Sequence, residues 1–173
     1  MYRVLVRDYG GERQPGEHPN TMPEWAADFF CWSICRNPYS RAVSIWRMLS
    51  ADGDPYRVRE RIGESVCADL ALFAEWLADH WRDGWLSRFG PLVWPQAKQI
   101  GHLQLDAICE LELLNETFID LPFVRSPVSL PRLGATTGGW LHLATSRVAA
   151  AVERWAADDF TQLGYSRLLG GAT

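Results

Sequence analysis

Cysteine is scarce in this chain, and its spacing suits neither a disulfide scaffold nor a metal knuckle. Cys31, Cys35, Cys67 and Cys109 form no C-x-x-C pair, and four cysteines in 173 residues are too few for a disulfide framework. In a strand, Cys31 and Cys35 stand about 13 Å apart at roughly 3.3 Å per residue, beyond the reach of a bridge. They read as buried free thiols of a reducing compartment. Net positive charge is also lacking. The 17 Lys and Arg against 21 Asp and Glu leave a formal charge of -4, which excludes general nucleic-acid binding and makes any anion site local. The densest basic stretch, Arg57-Val58-Arg59-Glu60-Arg61, is broken by an acid and reads as a solvated helix face. No apolar run approaches the roughly 20 residues that span a bilayer, and the amino terminus has no signal-peptide core. The chain therefore reads as soluble and cytoplasmic, with no membrane partner. Internal repeats, low-complexity tracts and the H-x-x-x-H pattern are absent. His80, His102 and His142 are far apart in sequence, so no metal is expected.

What is present is apolar. Hydrophobic residues make up 47% of the chain and aromatic ones 12%, enough at this length for one domain over residues 1–173 with a sizeable core. Residues 2–7 alternate Val4 and Val6 with Arg3 and Arg7, as a half-exposed strand does, and residues 10–23 form a first long loop. Residues 29–35 are almost continuously apolar and too short for a helix, which predicts a central strand covered on both faces. Asn37 suits a helix N-cap, Pro38 the first helical position, and Val43, Trp46 and Leu49 give that helix an apolar stripe. The spacing of Leu70, Phe73, Ala74 and Leu77 predicts a second helix over 69–81. Residues 105–111 alternate as a strand, and a short helix is expected over 112–118. Residues 121–139, interrupted by Pro122, Pro127 and Pro131, read as a long ordered loop. Val148, Val152, Trp155 and Phe160 mark a last helix, capped near Thr145 or Ser146 and closed by Gly164. Asp158 and Asp159 point about 100° apart on it and read as helix surface. Strands interleaved with helices make the class α/β with a mainly parallel sheet.

The junction at Arg36 carries the chemistry. A strand ending in an arginine and running into a capped helix start is a sensible anion site: free backbone N–H groups and the helix dipole attract phosphate, and a guanidinium clamps it. Ser44, eight residues on, adds a hydroxyl about two turns into the helix.

The run Arg36-Asn37-Pro38-Tyr39-Ser40-Arg41-Ala42-Val43-Ser44 resembles the 3′-phosphate site of sulfotransferases, in which an arginine and a serine eight residues later hold the 3′-phosphate of 3′-phosphoadenosine-5′-phosphosulfate. Trp94-Pro95-Gln96, the run 106–112 with its acidic start, and the ending from Trp155 to Tyr165 follow in family order, so the likeness covers roughly residues 29–165 and is nearest the carbohydrate branch. The resemblance implies a P-loop-like three-layer domain and sulfuryl transfer from that nucleotide to an acceptor hydroxyl, on a sugar, without metal. It places Arg36 and Ser44 on the donor, with Arg41 and Arg132 as further contacts; Arg41 alternatively pairs with an acid of the last helix. The family's amino-terminal strand–loop–helix for the 5′-phosphosulfate has no counterpart here, since no lysine precedes Lys98. Either the chain starts downstream of the family's start, as an amino-terminally truncated domain, or the loop is replaced, or the chain is a degenerate, non-catalytic member that binds nucleotide or a partner only. In related enzymes a His or Glu before the arginine serves as general base, and His18 occupies that interval with Glu17 and Glu24.

Overall fold

The computed structural model describes residues 28–51, 57–84, 90–101, 103–126, 130 and 139–170. The expected first strand over 2–7, the loop over 10–23, His18 and Arg132 lie outside the described residues. The chain divides into two compact units, Met1–Arg36 with Leu103–Gly138, and Asn37–His102 with Gly139–Thr173. The described residues are mostly helical, with one small parallel sheet.

In the first unit, β1 (Trp32–Cys35) pairs in parallel with β2 (Ala107–Glu110), Trp32 opposite Ala107. The Asp106 carboxylate sets this register: it accepts the Cys31 N–H at 2.7 Å while the Asp106 N–H donates to the Cys31 carbonyl at 2.7 Å. The acidic start of the 106–112 run therefore anchors the sheet. The apolar run beginning at Phe29 is longer than the strand. Phe29 and Phe30 are 64% and 41% exposed, and three of the four β1 residues are half-buried, so the fully covered central strand is not seen among the described residues. The helix expected over 112–118 is broken into a 3₁₀ turn (Leu111–Leu113), α7 (Leu114–Thr117) and a second 3₁₀ turn (Phe118–Asp120). It buries only Leu114 and Phe118, which pack with Cys109, Leu121 and Leu130 against Trp32 and Phe123.

In the second unit, Asn37 caps α1 (Pro38–Ser50), Asp69 caps α4 (Leu70–His80) and Thr145 caps α8 (Ser146–Trp155), each through its side-chain oxygen. Shorter helices fill the interval: α2 (Val58–Ile62), α3 (Glu64–Ala68), α5 (Gly90–Val93) and α6 (Gln96–Ile100). The basic stretch 57–61 is only partly a solvated face. Val58 is fully buried, and the Arg59 guanidinium donates to the Ser50 carbonyl at 2.8 Å. Helices α4 and α8 bury Phe73, Leu77, Val148 and Val152 between them and are edged by ion pairs, Glu75 taking both arms of Arg147 at 2.6 and 2.7 Å and Asp79 taking Arg154 at 2.8 Å.

The last helix does not run through to Phe160 as its periodicity suggests. It breaks at Ala156 (φ -109°, ψ 33°), and α9 (Ala157–Gln162) continues at a new angle to Gly164, which takes φ 76°. The break corrects the reading of the acidic pair. Asp158 is exposed, but Asp159 has no exposed surface, and its carboxylate accepts the Gln96 N–H at 3.0 Å, the Gln96 side-chain amide at 3.3 Å and the Ala97 N–H at 2.7 Å. Pro95 precedes α6 and offers no capping side chain, so Asp159 caps α6 from across the core.

Replacing Asp159 with alanine leaves those donors buried without an acceptor and is expected to cost about 3 kcal/mol. Urea unfolding checks it, with Asp158→Ala near neutral as the control. A second outcome concerns pH. The hydrogen bond from Arg147 holds the Glu75 carboxyl below its ordinary value. A lowered folded-state value contributes stability above the unfolded pKa, and that contribution is lost as pH falls through the folded value. Because the pair is exposed the effect is small. The melting temperatures of wild type and Glu75→Gln should differ at neutral pH and converge in acid.

Candidate functional site

Arg36 directly follows β1 and is half-buried; it closes the first unit, and Asn37 opens the second. Asn37 has φ -48° and ψ 126°, non-helical values typical of a capping residue, and Pro38 follows at the first helical position with its ring buried.

The backbone donors of this helix start are already used. The Asn37 Oδ1 accepts the N–H groups of Tyr39 at 3.1 Å and Ser40 at 3.3 Å, the Arg41 N–H donates to the Asn37 carbonyl at 2.9 Å, and Pro38 has none to give. The sequence suggested open N–H groups waiting for a phosphate; the asparagine that starts the helix also satisfies them. Ser44 is half-buried and lies six residues past Pro38, roughly 9 Å along the axis at 1.5 Å per residue. An anion touching Ser44 therefore lies against the flank of α1, beyond the first turn where the dipole is felt. Side chains, not the helix end, must hold it.

Arg41 is built into the second unit's core. One guanidinium nitrogen donates to the Leu92 carbonyl at 3.1 Å, and the group lies 5.2 Å from the centroid of the Trp155 ring, whose own N–H donates to the Val93 carbonyl at 2.9 Å. Arg41 thus meets the last helix through an indole face. Tyr39 is 1% exposed; its hydroxyl donates to Glu153 at 2.6 Å, and its ring stacks on Trp140 at 5.4 Å. Burial, reinforced by the Glu153 carboxylate, pushes the Tyr39 phenol well above its ordinary range, so it stays protonated. Nothing in the sequence signals this pairing, since its members are 114 residues apart. At the far end of the helical unit the His80 ring stacks on Trp76 and bonds Asp83 at 2.8 Å, which closes the end of α4. No group of three or more His, Cys, Asp or Glu that would hold a metal occurs among the described residues.

Of the residues that the resemblance names, Arg36 follows β1 in the first unit, while Ser44 lies on the flank of α1 and Arg41 is braced by Trp155 in the second. His18 and Arg132 lie outside them. Set against protein-family models, curated proteins and solved structures, the chain matches none.

Loss of the Asn37 cap frees two first-turn donors, so Asn37→Ala is expected to destabilise the protein by about 1 kcal/mol. Chemical denaturation measures this, and Asn37→Asp should be close to wild type.

Proposed function

We propose that this chain is a sulfotransferase-like protein that binds 3′-phosphoadenosine-5′-phosphosulfate and passes its sulfuryl group to an acceptor hydroxyl, on a carbohydrate, within a P-loop-like α/β domain. The observation that carries the reading is the junction itself. A strand of a parallel pair ends at Arg36 and leads into an Asn37-capped, Pro38-started helix that presents Ser44 eight residues later. Two further segments of the resemblance meet in one hydrogen-bonded unit, because Asp159 of the carboxy-terminal run caps α6 at Gln96 of Trp94-Pro95-Gln96.

In this reading Arg36 supplies charge and two-pronged donors to the 3′-phosphate and Ser44 supplies a hydroxyl. Arg41 stiffens the helix that bears Ser44, and Arg132 is a further nucleotide contact. In the transfer, the acceptor oxygen attacks sulfur, the bond from sulfur to the 5′-phosphate oxygen breaks, and His18 takes the hydroxyl proton. The leaving 5′-phosphate requires donors of its own. Residues 1–97 contain no lysine to serve that phosphate, and a second reading is a protein of this fold that binds the nucleotide without transferring sulfate.

Titration with 3′-phosphoadenosine-5′-phosphate, followed by tryptophan fluorescence, tests the site. Arg36→Ala should weaken binding by at least tenfold, about 1.4 kcal/mol, and Ser44→Ala by a few-fold. Equal affinity in wild type and Arg36→Ala would sink the assignment. Sulfuryl transfer, where measurable, should be slow and lost in His18→Ala; nucleotide binding without any transfer selects the second reading.

A further inference from the structure

The carboxy-terminal stretch past α9 is docked on the start of α1 in an unusual way. The Tyr39 hydroxyl, having donated to Glu153, accepts the Leu168 N–H at 2.8 Å, and the same Glu153 oxygen accepts the next N–H along, that of Leu169, at 3.1 Å. Arg167 adds a guanidinium 3.9 Å from the other Glu153 oxygen, a hydrogen bond to the Ala157 carbonyl at 3.3 Å and a position 5.1 Å from the centre of the Phe160 ring. Two successive backbone donors and one cation thus meet one phenol–carboxylate pair, on the second residue of α1.

Beyond Tyr165, which packs on the core, the apolar side chains of this stretch contribute little. Leu168 and Leu169 are 46% and 48% exposed, so docking rests on a few polar contacts rather than on buried area. Segments held this way open at a small fraction of the global unfolding free energy. Glycines stand at both ends in the left-handed region, Gly164 at φ 76° and Gly170 at φ 54°, with open space where a Cβ would be. Glycine leaves the backbone at these two positions freer than any other residue would.

We propose that residues 165–170 form a releasable strap that sets the order of the first turn of α1, tightening the candidate anion site when docked and loosening it when released. Release takes the Leu169 N–H and Arg167 from Glu153, whose side chain is only 12% exposed, and the Leu168 N–H from a phenol that is 1% exposed. The phenol–carboxylate pair then loses three partners at once, and with them the first turn of α1 loses part of what holds Tyr39 in place. The link to the anion site rests on the reading of Arg36 and Ser44 given above; the link from strap to helix does not.

Hydrogen exchange of the full chain against a variant lacking residues 167–173 tests the strap. The shortened chain retains Tyr165, which packs on the core. Amides of residues 41–43 should exchange about tenfold faster in it, with those of α4 unchanged. Tyr39→Phe keeps the ring and removes the hydroxyl. It should produce the same acceleration in the full chain and little more in the shortened one. Unchanged exchange at 41–43 overturns the proposal, as does an acceleration shared equally by α4, which would report general loss of stability. The affinity for 3′-phosphoadenosine-5′-phosphate should fall several-fold in the shortened chain. If the full chain does not bind that nucleotide, the donor reading falls and the exchange result still decides the strap.

Discussion

Asp159 places a carboxylate beside a core that includes Phe160, Trp155 and Val93, and such a group is tolerated without exposed surface only when its oxygens are hydrogen-bonded. All its donors come from one place, the start of α6. A helix of five residues is not stable alone in water, and α6 begins after a proline that cannot cap it with a side chain. The carboxylate and the short helix therefore need each other. Trp155, one helix earlier, binds the Val93 carbonyl, so the segment 93–97 is held from both sides of the break at Ala156. That break lets Trp155 and Asp159 serve the same segment, and the rest of the second unit packs around the result.

How much of this was legible follows from how local each signal is. The starts of α1, α4 and α8 could be read because Asn37, Asp69 and Thr145 act on donors two or three residues away, and the pattern of one turn contains the whole cap. The periodicity of α4 was equally plain. Asp159 was misread as surface because its partners lie 62 and 63 residues away, and a helical wheel extended through Ala156 points it in a direction that the broken helix does not keep. The extent of β1 was overread for a related reason: an apolar run marks what is able to be buried, while pairing with β2 decides what is strand.

At the candidate site the sequence reading leaned on open backbone donors that the structure uses elsewhere. An asparagine N-cap and an anion-binding helix end compete for the same N–H groups, and here the asparagine has them. A phosphate displacing Asn37 would exchange one acceptor for another and forfeit a cap of about 1 kcal/mol. A phosphate on the flank leaves that cap in place. The proposed 3′-phosphate role therefore rests on side chains and not on the helix end.

Arg41, the second arginine of the run, is engaged within its own unit. Arg41 already has the Leu92 carbonyl and the face of Trp155. A desolvated cation–π contact is worth up to about 2 kcal/mol, and a hydrogen bond from a charged donor about 1.5 to 3, so withdrawing Arg41 toward a ligand costs as much as a phosphate contact returns. Its better use is where it stands, tying α1 to α5 and α8 so that Ser44 has a fixed address. Tyr39 makes the same bargain two residues earlier, with Glu153 and the strap as its partners. The face of α1 turned into the helical unit is thus spent on bracing.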